Sequence, residues 1–224
     1  MSKPTIAEMC EGFVKTYPAA ITDIMDTEFN LHNQWLGPEI KPLMPEMNVA
    51  GPAMTMRWIK DPVTINDEAY EKMAKQLVDE LKPNIVPVID SSKCQNAGFW
   101  GELMCTICKE KGVKGAVIDG GVRDPLFISK SGFNMFAAFP CPLEANFNRA
   151  QLESVQKPIL INGVVIRPGD FIMGDFGGVV VIPQEVVADV YEKVIELVQQ
   201  ESDTRRLIRE GASVKDMLAA GGRL

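Results

Sequence analysis

The fold is decided by the stretch Val113-Lys114-Gly115-Ala116-Val117-Ile118-Asp119-Gly120-Gly121-Val122-Arg123-Asp124-Pro125. Its first six residues form a largely apolar run that is typical of a buried strand. Gly120 and Gly121 allow a tight turn. Asp124-Pro125 then predicts the start of a helix, because Asp is a favoured N-cap and Pro is favoured in the first turn. A strand that leads into a helix is the repeating unit of an α/β fold.

The same pattern recurs on both sides of this stretch. Residues 85–90 and 134–139 predict two further strands, and residues 53–59 alternate like a third. Residues 67–81 and 99–111 have helical spacing, and the second of these helices ends at a glycine. Because strands alternate with helices, we expect parallel pairing through right-handed crossovers.

The two ends of the chain differ from this centre. Residues 6–28 predict two short helices, and the Pro/Gly-rich residues 37–52 predict an ordered surface loop. Four short apolar runs in residues 158–183, separated by turn signals, predict antiparallel strands. A long helix is predicted over residues 184–210, with a wholly polar segment at 199–206. We expect one domain over residues 1–224, composed of N-terminal helices and a loop (1–50), an α/β core (51–183) and a C-terminal helical extension (184–224).

The composition excludes several classes of protein. A chain of 224 residues that is 46% hydrophobic can bury a real core. Its net charge of -7 argues against nucleic acid as a partner, since phosphate binding needs a basic face. No apolar run approaches the roughly 20 residues of a membrane helix, and the N-terminus lacks a signal-peptide core. Five cysteines without framework spacing indicate a reduced, cytoplasmic protein.

Glu102 is the first candidate functional residue. It falls in the first turn of the helix that follows strand 85–90, at the sheet edge where ligands bind in such folds. Gly101 allows close approach of the backbone, and the amides of Leu103 and Met104 would point at a ligand there. Glu102 could equally serve only to offset the helix dipole.

Arg123 and Asp124 are predicted at the same edge, one strand further along the chain. An arginine can bind a carboxylate or enolate oxygen through two parallel hydrogen bonds. Asp124 alone could be a helix N-cap. Together with Glu102, the pair favours a site for a divalent cation and an anionic substrate. Since histidine and thiolate clusters are absent, we expect Mg²⁺ or Mn²⁺.

Three other features receive structural interpretations. Cys105 and Cys108 form a CxxC pair inside a predicted helix, which favours packing over redox or metal chemistry. His32, the only histidine, is assigned a local structural role. The sequence Asp175-Phe176-Gly177-Gly178 is typical of a turn between strands.

Several segments resemble a known family across most of the chain. They are Ile21-Thr22-Asp23-Ile24-Met25-Asp26, Trp100-Gly101-Glu102-Leu103, Val117-Ile118-Asp119-Gly120-Gly121-Val122-Arg123-Asp124, Arg167-Pro168-Gly169-Asp170, Gly174-Asp175 and Gly178-Val179-Val180-Val181-Ile182-Pro183. This pattern is similar to the RraA-like family, which contains 4-hydroxy-4-methyl-2-oxoglutarate / 4-carboxy-4-hydroxy-2-oxoadipate aldolases and shorter regulators of ribonuclease E. The resemblance implies a swivelling β/β/α fold, assembled as homotrimers or homohexamers with active sites between subunits.

The resemblance also implies a role for each candidate residue. Asp124 would ligate the metal, Glu102 would hold a metal-bound water, and Arg123 would bind the keto oxygen of the substrate. The amides of Leu103 and Met104 would receive the carboxylate of the substrate. Glu201, in the C-terminal helix of a neighbouring subunit, would complete the site.

The implied activity is a divalent-metal-dependent retro-aldol cleavage of a 4-hydroxy-2-oxo dicarboxylic or tricarboxylic acid. Its products would be pyruvate and a second keto acid, with oxaloacetate decarboxylation as a side activity. Two alternatives stay open, a Schiff-base aldolase that uses a lysine such as Lys93 and a non-catalytic regulator of ribonuclease E. Residues 136–139 lack an arginine that relatives often carry there, so the sequence leaves the natural substrate open.

Overall fold

A computed structural model describes residues 3–219 of the chain. The strands are β1 (Lys41–Pro42), β2 (Val49–Lys60), β3 (Val86–Asp90), β4 (Gly98–Trp100), β5 (Gly115–Val122), β6 (Asn134–Pro140), β7 (Ala150–Val155), β8 (Ile159–Ile161), β9 (Val164–Ile166), β10 (Phe171–Asp175) and β11 (Gly178–Ile182). The helices are α1 (Ile6–Phe13), α2 (Pro18–Glu28), α3 (Asp67–Glu80), α4 (Glu102–Glu110), α5 (Pro125–Ser131), α6 (Val187–Arg209) and α7 (Val214–Ala219).

The described strands form one mixed sheet and a separate hairpin. The order along the sheet is β1-β6-β5-β3-β2-β10-β11, with β7 paired to β2 and β4 paired to β5. Strands β2, β3, β5 and β6 pair in parallel, as the strand-helix alternation predicts. Pairs β10–β11 and β8–β9 are antiparallel, which confirms the prediction for residues 158–183.

The two faces of the sheet bury different layers. On β5, Ala116 and Ile118 face a core that includes residues of α3, α4 and α5, whereas Val117 faces the hairpin β8–β9. Residues of α1, α2 and α6 form a third core against β10 and β11. A hairpin layer, a sheet layer and a helix layer make up the β/β/α architecture, so the expected fold class is confirmed.

The structure corrects several predicted boundaries. The helix predicted over residues 99–111 begins only at Glu102, because Gly98–Trp100 forms β4 beside β5. A strand of three residues is too short to produce a recognisable alternation. The predicted surface loop 37–52 contains β1 and the start of β2, and it buries Ile40 and Met47. Strand β7 was not predicted.

Two further predictions concern helices. The N-terminal pair is confirmed, with the break before Pro18, and the C-terminal helix begins at Val187. Among residues 3–219, no helix is both long enough and apolar enough to span a bilayer.

Candidate active site

The short strand β4 brings the two candidate segments together. It pairs in parallel with the end of β5, and the Arg123 N–H donates to the Trp100 carbonyl at 2.8 Å. Gly101 and Glu102 follow β4 directly, and Asp124 follows Arg123. The Glu102 N–H therefore reaches the Asp124 carboxylate, with a distance of 3.3 Å between Glu102 N and Asp124 Oδ2.

Asp124 occupies the predicted N-cap position of α5, but its side chain does not cap that helix. Its backbone is left-handed, with φ 53° and ψ 39°, and its side chain makes no capping bond to α5. The carboxylate turns instead toward the first amide of α4. Positive φ is uncommon outside glycine, although Asp tolerates it, and such conformations concentrate at functional sites.

The N-terminus of α4 supplies unpaired backbone donors. Its N-cap, Gly101, carries no side chain to cap the helix. The first hydrogen bond of the helix is the one that the Cys105 N–H donates to the Gly101 carbonyl at 3.2 Å. The amides of Leu103 and Met104 lie ahead of that first bond, where helices bind anions. The Glu102 side chain is tethered to its own helix, because Thr106 Oγ1 donates to Glu102 Oε1 at 2.9 Å.

Arg123 is fixed at both ends of its side chain. A Cβ placed on Gly98 would lie 2.5 Å from Arg123 Cγ, so the stem of the arginine packs directly on a glycine backbone. The guanidinium Nη1 donates to Glu144 Oε2. Glu144 was missed by sequence reasoning, because it lies in an irregular loop after β6 with no spacing to relate it to Arg123.

These residues line one cavity of about 190 Å³. That volume is below the roughly 300–1,000 Å³ of pockets that hold drug-sized ligands, and it suits a small organic acid. The polar lining comes from the two candidate segments and the Glu144 loop, and the apolar lining comes from α3, β2, β4 and the start of α4. The lining residues are Trp58, Tyr70, Met73, Ala74, Leu77, Gly98, Phe99, Trp100, Gly101, Glu102, Leu103, Met104, Arg123, Asp124, Glu144 and Asn146.

Unpaired buried polar atoms concentrate around this cavity. Within the described chain, the buried side-chain atoms without a hydrogen-bond partner are Trp58 Nε1, Trp100 Nε1, Arg123 Nε and Asn146 Oδ1. All four belong to residues that line the cavity. The Trp100 indole faces the thiol of Cys105, which is only a weak acceptor. Each buried polar group without a hydrogen-bond partner lowers the stability of the fold by about 1–3 kcal/mol. The clustering of these groups therefore indicates that a ligand or solvent supplies the missing hydrogen bonds.

Glu201 lies elsewhere on the chain. The Tyr17 hydroxyl donates to Glu201 Oε2, and Arg205 Nη2 lies 2.7 Å from the same oxygen. Glu201 does not line the cavity that contains Arg123 and Asp124. A role for Glu201 at this site therefore requires a second copy of the chain.

Lys93 lines a separate cavity of about 290 Å³, together with Glu39 and Asp119. Burial, followed by the charge of Asp90, raises the pKa of Asp119. Neither Arg123 nor Asp124 lines this second cavity, so the structure does not bring Lys93 to the candidate active site.

The three structural interpretations are confirmed. Cys105 and Cys108 are fully buried, and burial raises the pKa of the Cys108 thiol to about 12, so these thiols pack rather than react. His32 is exposed and bonded only to nearby Asp26 and Asn30 in the described structure. Residues 175–178 form the turn between β10 and β11.

The carboxylates at the cavity are a sparse ligand set. No group of three or more His, Cys, Asp or Glu side chains that could hold a metal is present in residues 3–219. Asp124 and Glu102 nevertheless stand at the same cavity wall, and Mg²⁺ is commonly bound through one or two carboxylates while it keeps several waters. The residues present therefore fit a hard divalent ion with open positions.

The sheet and the small, partly polar cavity at its edge define an α/β protein. A family model described as "RraA-like: Aldolase/RraA" matches residues 19–181, and the chain belongs to the RraA-like family. The resemblance noted in the sequence is thereby confirmed.

Relatives of known sequence carry different names. Protein DlpA of Legionella pneumophila is 28% identical over 213 residues, which cover 94% of this chain and 33% of DlpA. The protein MJ0644 of Methanocaldococcus jannaschii, described as uncharacterized, is 34% identical over 134 residues, covering 60% of this chain and 63% of that protein. The chain thus spans less than two thirds of each. A Halalkalibacterium halodurans protein named "Putative 4-hydroxy-4-methyl-2-oxoglutarate aldolase" is 30% identical over 181 residues, covering 80% of this chain and 79% of its own length.

Solved structures show the same fold. A crystal structure described as one of novel cellulases from microbes associated with the gut ecosystem has a TM-score of 0.83 and 31% identity, covering 91% of this chain and 89% of that one. Streptomyces coelicolor RraAS2, described as an unusual member of the RNase ES inhibitor RraA protein family, has a TM-score of 0.78 and 22% identity, covering 89% of this chain and 97% of its own. At 22% identity, the similarity to RraAS2 shows the fold alone.

Proposed function

We propose that the protein is a metal-dependent pyruvate aldolase, a carbon-carbon lyase that cleaves a 4-hydroxy-2-oxo dicarboxylic or tricarboxylic acid. The observation that carries the proposal is the convergence of Arg123, the Asp124 carboxylate and the open N-terminus of α4 on one small cavity. A fixed guanidinium, a carboxylate and free amides are the groups that a 2-oxo acid and a divalent ion require. The relative named as an aldolase supports the same activity.

Asp124 would hold the Mg²⁺ or Mn²⁺ ion, and Glu102 would hold a water beside it. When bound, such an ion polarises the keto group and stabilises the negative charge that develops on its oxygen. The left-handed backbone of Asp124 and the close approach of Gly101 fix the carboxylate that would do this.

Different residues of the chain contact different parts of the substrate. The amides of Leu103 and Met104 receive the C1 carboxylate, and Arg123 donates to the C2 keto oxygen. A water oriented by Glu102, or a glutamate from a neighbouring chain, removes the proton of the C4 hydroxyl. The C4 oxygen then forms the carbonyl of the second keto acid as the C3–C4 bond breaks, the electron pair of that bond forms the enolate of pyruvate, and protonation at C3 releases pyruvate. Oxaloacetate decarboxylation passes through the same enolate and is the expected side activity.

An assembly of several copies would complete the site. Large apolar side chains at the starts of α4 and α5 lie exposed, with Leu103 75%, Leu126 73% and Phe127 69% accessible. Exposed apolar side chains that cluster in this way are typical of a protein-protein interface. We propose a homotrimer or homohexamer in which the polar segment of α6 in one copy brings Glu201 to the cavity of the next.

Substitution of Arg123 tests the proposal. Arg123→Ala should abolish pyruvate release in a lactate-dehydrogenase-coupled assay, whereas Arg57→Ala is the matched control, because Arg57 pairs with Asp90 and Glu153 away from the cavity. EDTA should remove the activity and added Mg²⁺ or Mn²⁺ should restore it. Near-wild-type turnover in Arg123→Ala would exclude the mechanism. A metal-supplemented screen of 4-hydroxy-2-oxo acids then identifies the substrate.

Two other functions predict different results. A Schiff-base aldolase would use Lys93, which lines its own cavity beside Asp119. Borohydride with pyruvate would then trap the protein in the presence of EDTA. A non-catalytic regulator of ribonuclease E would bind the nuclease in a pull-down and show no lyase activity on any keto acid.

A further inference from the structure

We propose that Glu144 is a positioning residue, which orients the Arg123 guanidinium for the keto and enolate oxygen of the substrate. This inference rests on the proposed function, because it assigns Arg123 a substrate to bind. The spacing pattern of the sequence does not point to Glu144. The contacts of the Glu144 loop carry the argument.

The ion pair between Arg123 and Glu144 is sheltered from solvent. Glu144 Oε2 accepts from Arg123 Nη1, and the two side chains are 24% and 35% exposed respectively. Ion pairs at this depth are less screened than exposed ones, and two charged partners restrict each other's rotamers. The pairing uses only the Nη1 group of the guanidinium among the described contacts, so Nη2 stays available to a ligand.

Glu144 is itself held in place by its loop. Asn146 Nδ2 donates to Glu144 Oε1 at 3.0 Å, and Asn146 is buried. Arg149 Nη1 donates to the Glu144 carbonyl at 3.0 Å, and Gly98 bridges to Glu144 in a parallel arrangement. Because Oε1 and the backbone of Glu144 are anchored independently of Arg123, Glu144 can impose an orientation on Arg123 rather than follow it.

The other end of Arg123 is equally constrained. Its stem packs on Gly98, and its backbone N–H donates to Trp100. With the stem and the guanidinium both fixed, the arginine need not be ordered when substrate binds, which is the advantage of a preorganised donor. A free arginine in the same place would have to lose its rotamer freedom at that moment.

The pair also sets the kind of interaction that Arg123 makes. Arg123 is the only Lys or Arg among the residues that line the cavity, and Glu144 balances its charge. Arg123 therefore acts through a directed hydrogen bond more than through net positive charge. The effect should be largest where negative charge develops on the keto oxygen, that is, in the enolate-forming step.

The test compares Glu144→Gln and Glu144→Asp with Glu153→Gln in the metal-loaded enzyme. Glu153 is the matched control, since it also forms an ion pair with an arginine, with 3.2 Å between Glu153 Oε2 and Arg57 Nε, but lies away from the cavity. Four quantities are measured, namely kcat, KM, the inhibition constant of oxalate as a planar mimic of the pyruvate enolate, and the thermal midpoint.

We expect Glu144→Gln to lower kcat by about tenfold to a hundredfold, the range for a displaced catalytic group, while KM changes less than kcat. Inhibition by oxalate should weaken by a similar factor, because oxalate needs the same oriented arginine. Glu144→Asp, which keeps the charge, should recover part of the loss. Unchanged kcat in Glu144→Gln, or an equal loss in Glu153→Gln, would overturn the proposal. A fall in kcat that tracks only the thermal midpoint would do the same.

A second readout does not depend on the activity. Phenylglyoxal modifies arginine, and mass spectrometry of the peptide that contains Arg123 gives its rate of labelling. Loss of the Glu144 carboxylate should speed the labelling of Arg123, with Glu153→Gln at the wild-type rate. An unchanged rate of Arg123 labelling would refute the proposal that Glu144 orients Arg123, even if the wild-type protein proved to have no lyase activity. Absence of lyase activity together with faster labelling would instead refute only the proposed function.

Discussion

The most specific test of the site is the substitution Gly101→Ala. Gly101 has φ −139° and ψ −176°, an extended conformation that alanine adopts without strain. The new Cβ would lie 2.9 Å from Asp124 Oδ2 and 3.6 Å from Arg123 Cβ. The only close contact is therefore with the end of the Asp124 side chain, so the change acts on one carboxylate and leaves the backbone as it is.

The size of the effect follows from that distance. Ordinary contact begins at 3.4 Å, so the Asp124 carboxylate must move by about 0.5 Å, and its contact with the Glu102 amide must change with it. A displacement of about 1 Å at a catalytic centre can lower the rate about a hundredfold. We therefore expect kcat/KM to fall about tenfold, which corresponds to about 1.4 kcal/mol in the barrier. The concentration of Mg²⁺ needed for half activity should rise as well.

The assay is lactate-dehydrogenase-coupled pyruvate release over a series of Mg²⁺ concentrations, with thermal unfolding measured in parallel. Gly177→Ala is the matched control, because its Cβ would lie 3.0 Å from Asp175 Oδ1 in the β10–β11 turn, outside the cavity. Gly177→Ala should keep wild-type kcat/KM. If Gly101→Ala kept wild-type kcat/KM and metal dependence, Asp124 would not be the ligand whose position matters.

Three further predictions follow from other parts of the molecule. Burial and the charge of Asp90 raise the pKa of Asp119, so its ionisation destabilises the folded state. At pH values above that raised pKa, Asp119→Asn should therefore increase the thermal midpoint of unfolding. The increase should disappear as the pH falls to the ordinary carboxyl range, and an increase that persists at low pH would contradict this. Because burial raises the pKa of Cys108 to about 12, iodoacetamide should label its peptide only after unfolding, and rapid labelling of the native protein would show otherwise. Co-expression of Arg123→Ala with Glu201→Gln should restore about a quarter of wild-type activity, since random mixing leaves one site in four with both residues intact, and no recovery would contradict a site shared between two chains.

The meeting of Glu102 with Arg123 and Asp124 could be predicted from the sequence. Parallel strands joined by crossovers end at the same edge of a sheet, so residues that follow two such strands come together. The structure does place the Glu102 amide against the Asp124 carboxylate. The alternating strands and the glycine that ends α4 were equally readable, because period and turn chemistry are local signals.

The remaining parts of the site depend on contacts that no local signal marks. Asp124-Pro125 is typical of a helix N-cap, yet the left-handed backbone of Asp124 directs its carboxylate to the neighbouring helix. Glu144 belongs to an irregular loop whose path is set by a bridge to Gly98, distant from it in sequence, and by a hydrogen bond from Arg149. Strand β4 is defined only by its pairing with β5. Tertiary contacts decide each of these features.

The charges at the cavity connect metal binding with substrate binding. Glu102, Asp124 and Glu144 contribute three carboxylates to the lining, against the single guanidinium of Arg123, which Glu144 already neutralises. An anionic keto acid that entered this cavity alone would meet net negative charge, opposed only by the amides of α4. A divalent cation reverses that balance. Substrate should therefore raise the thermal midpoint only when Mg²⁺ is present, whereas a site that used a lysine in the second cavity would respond to substrate with or without the ion.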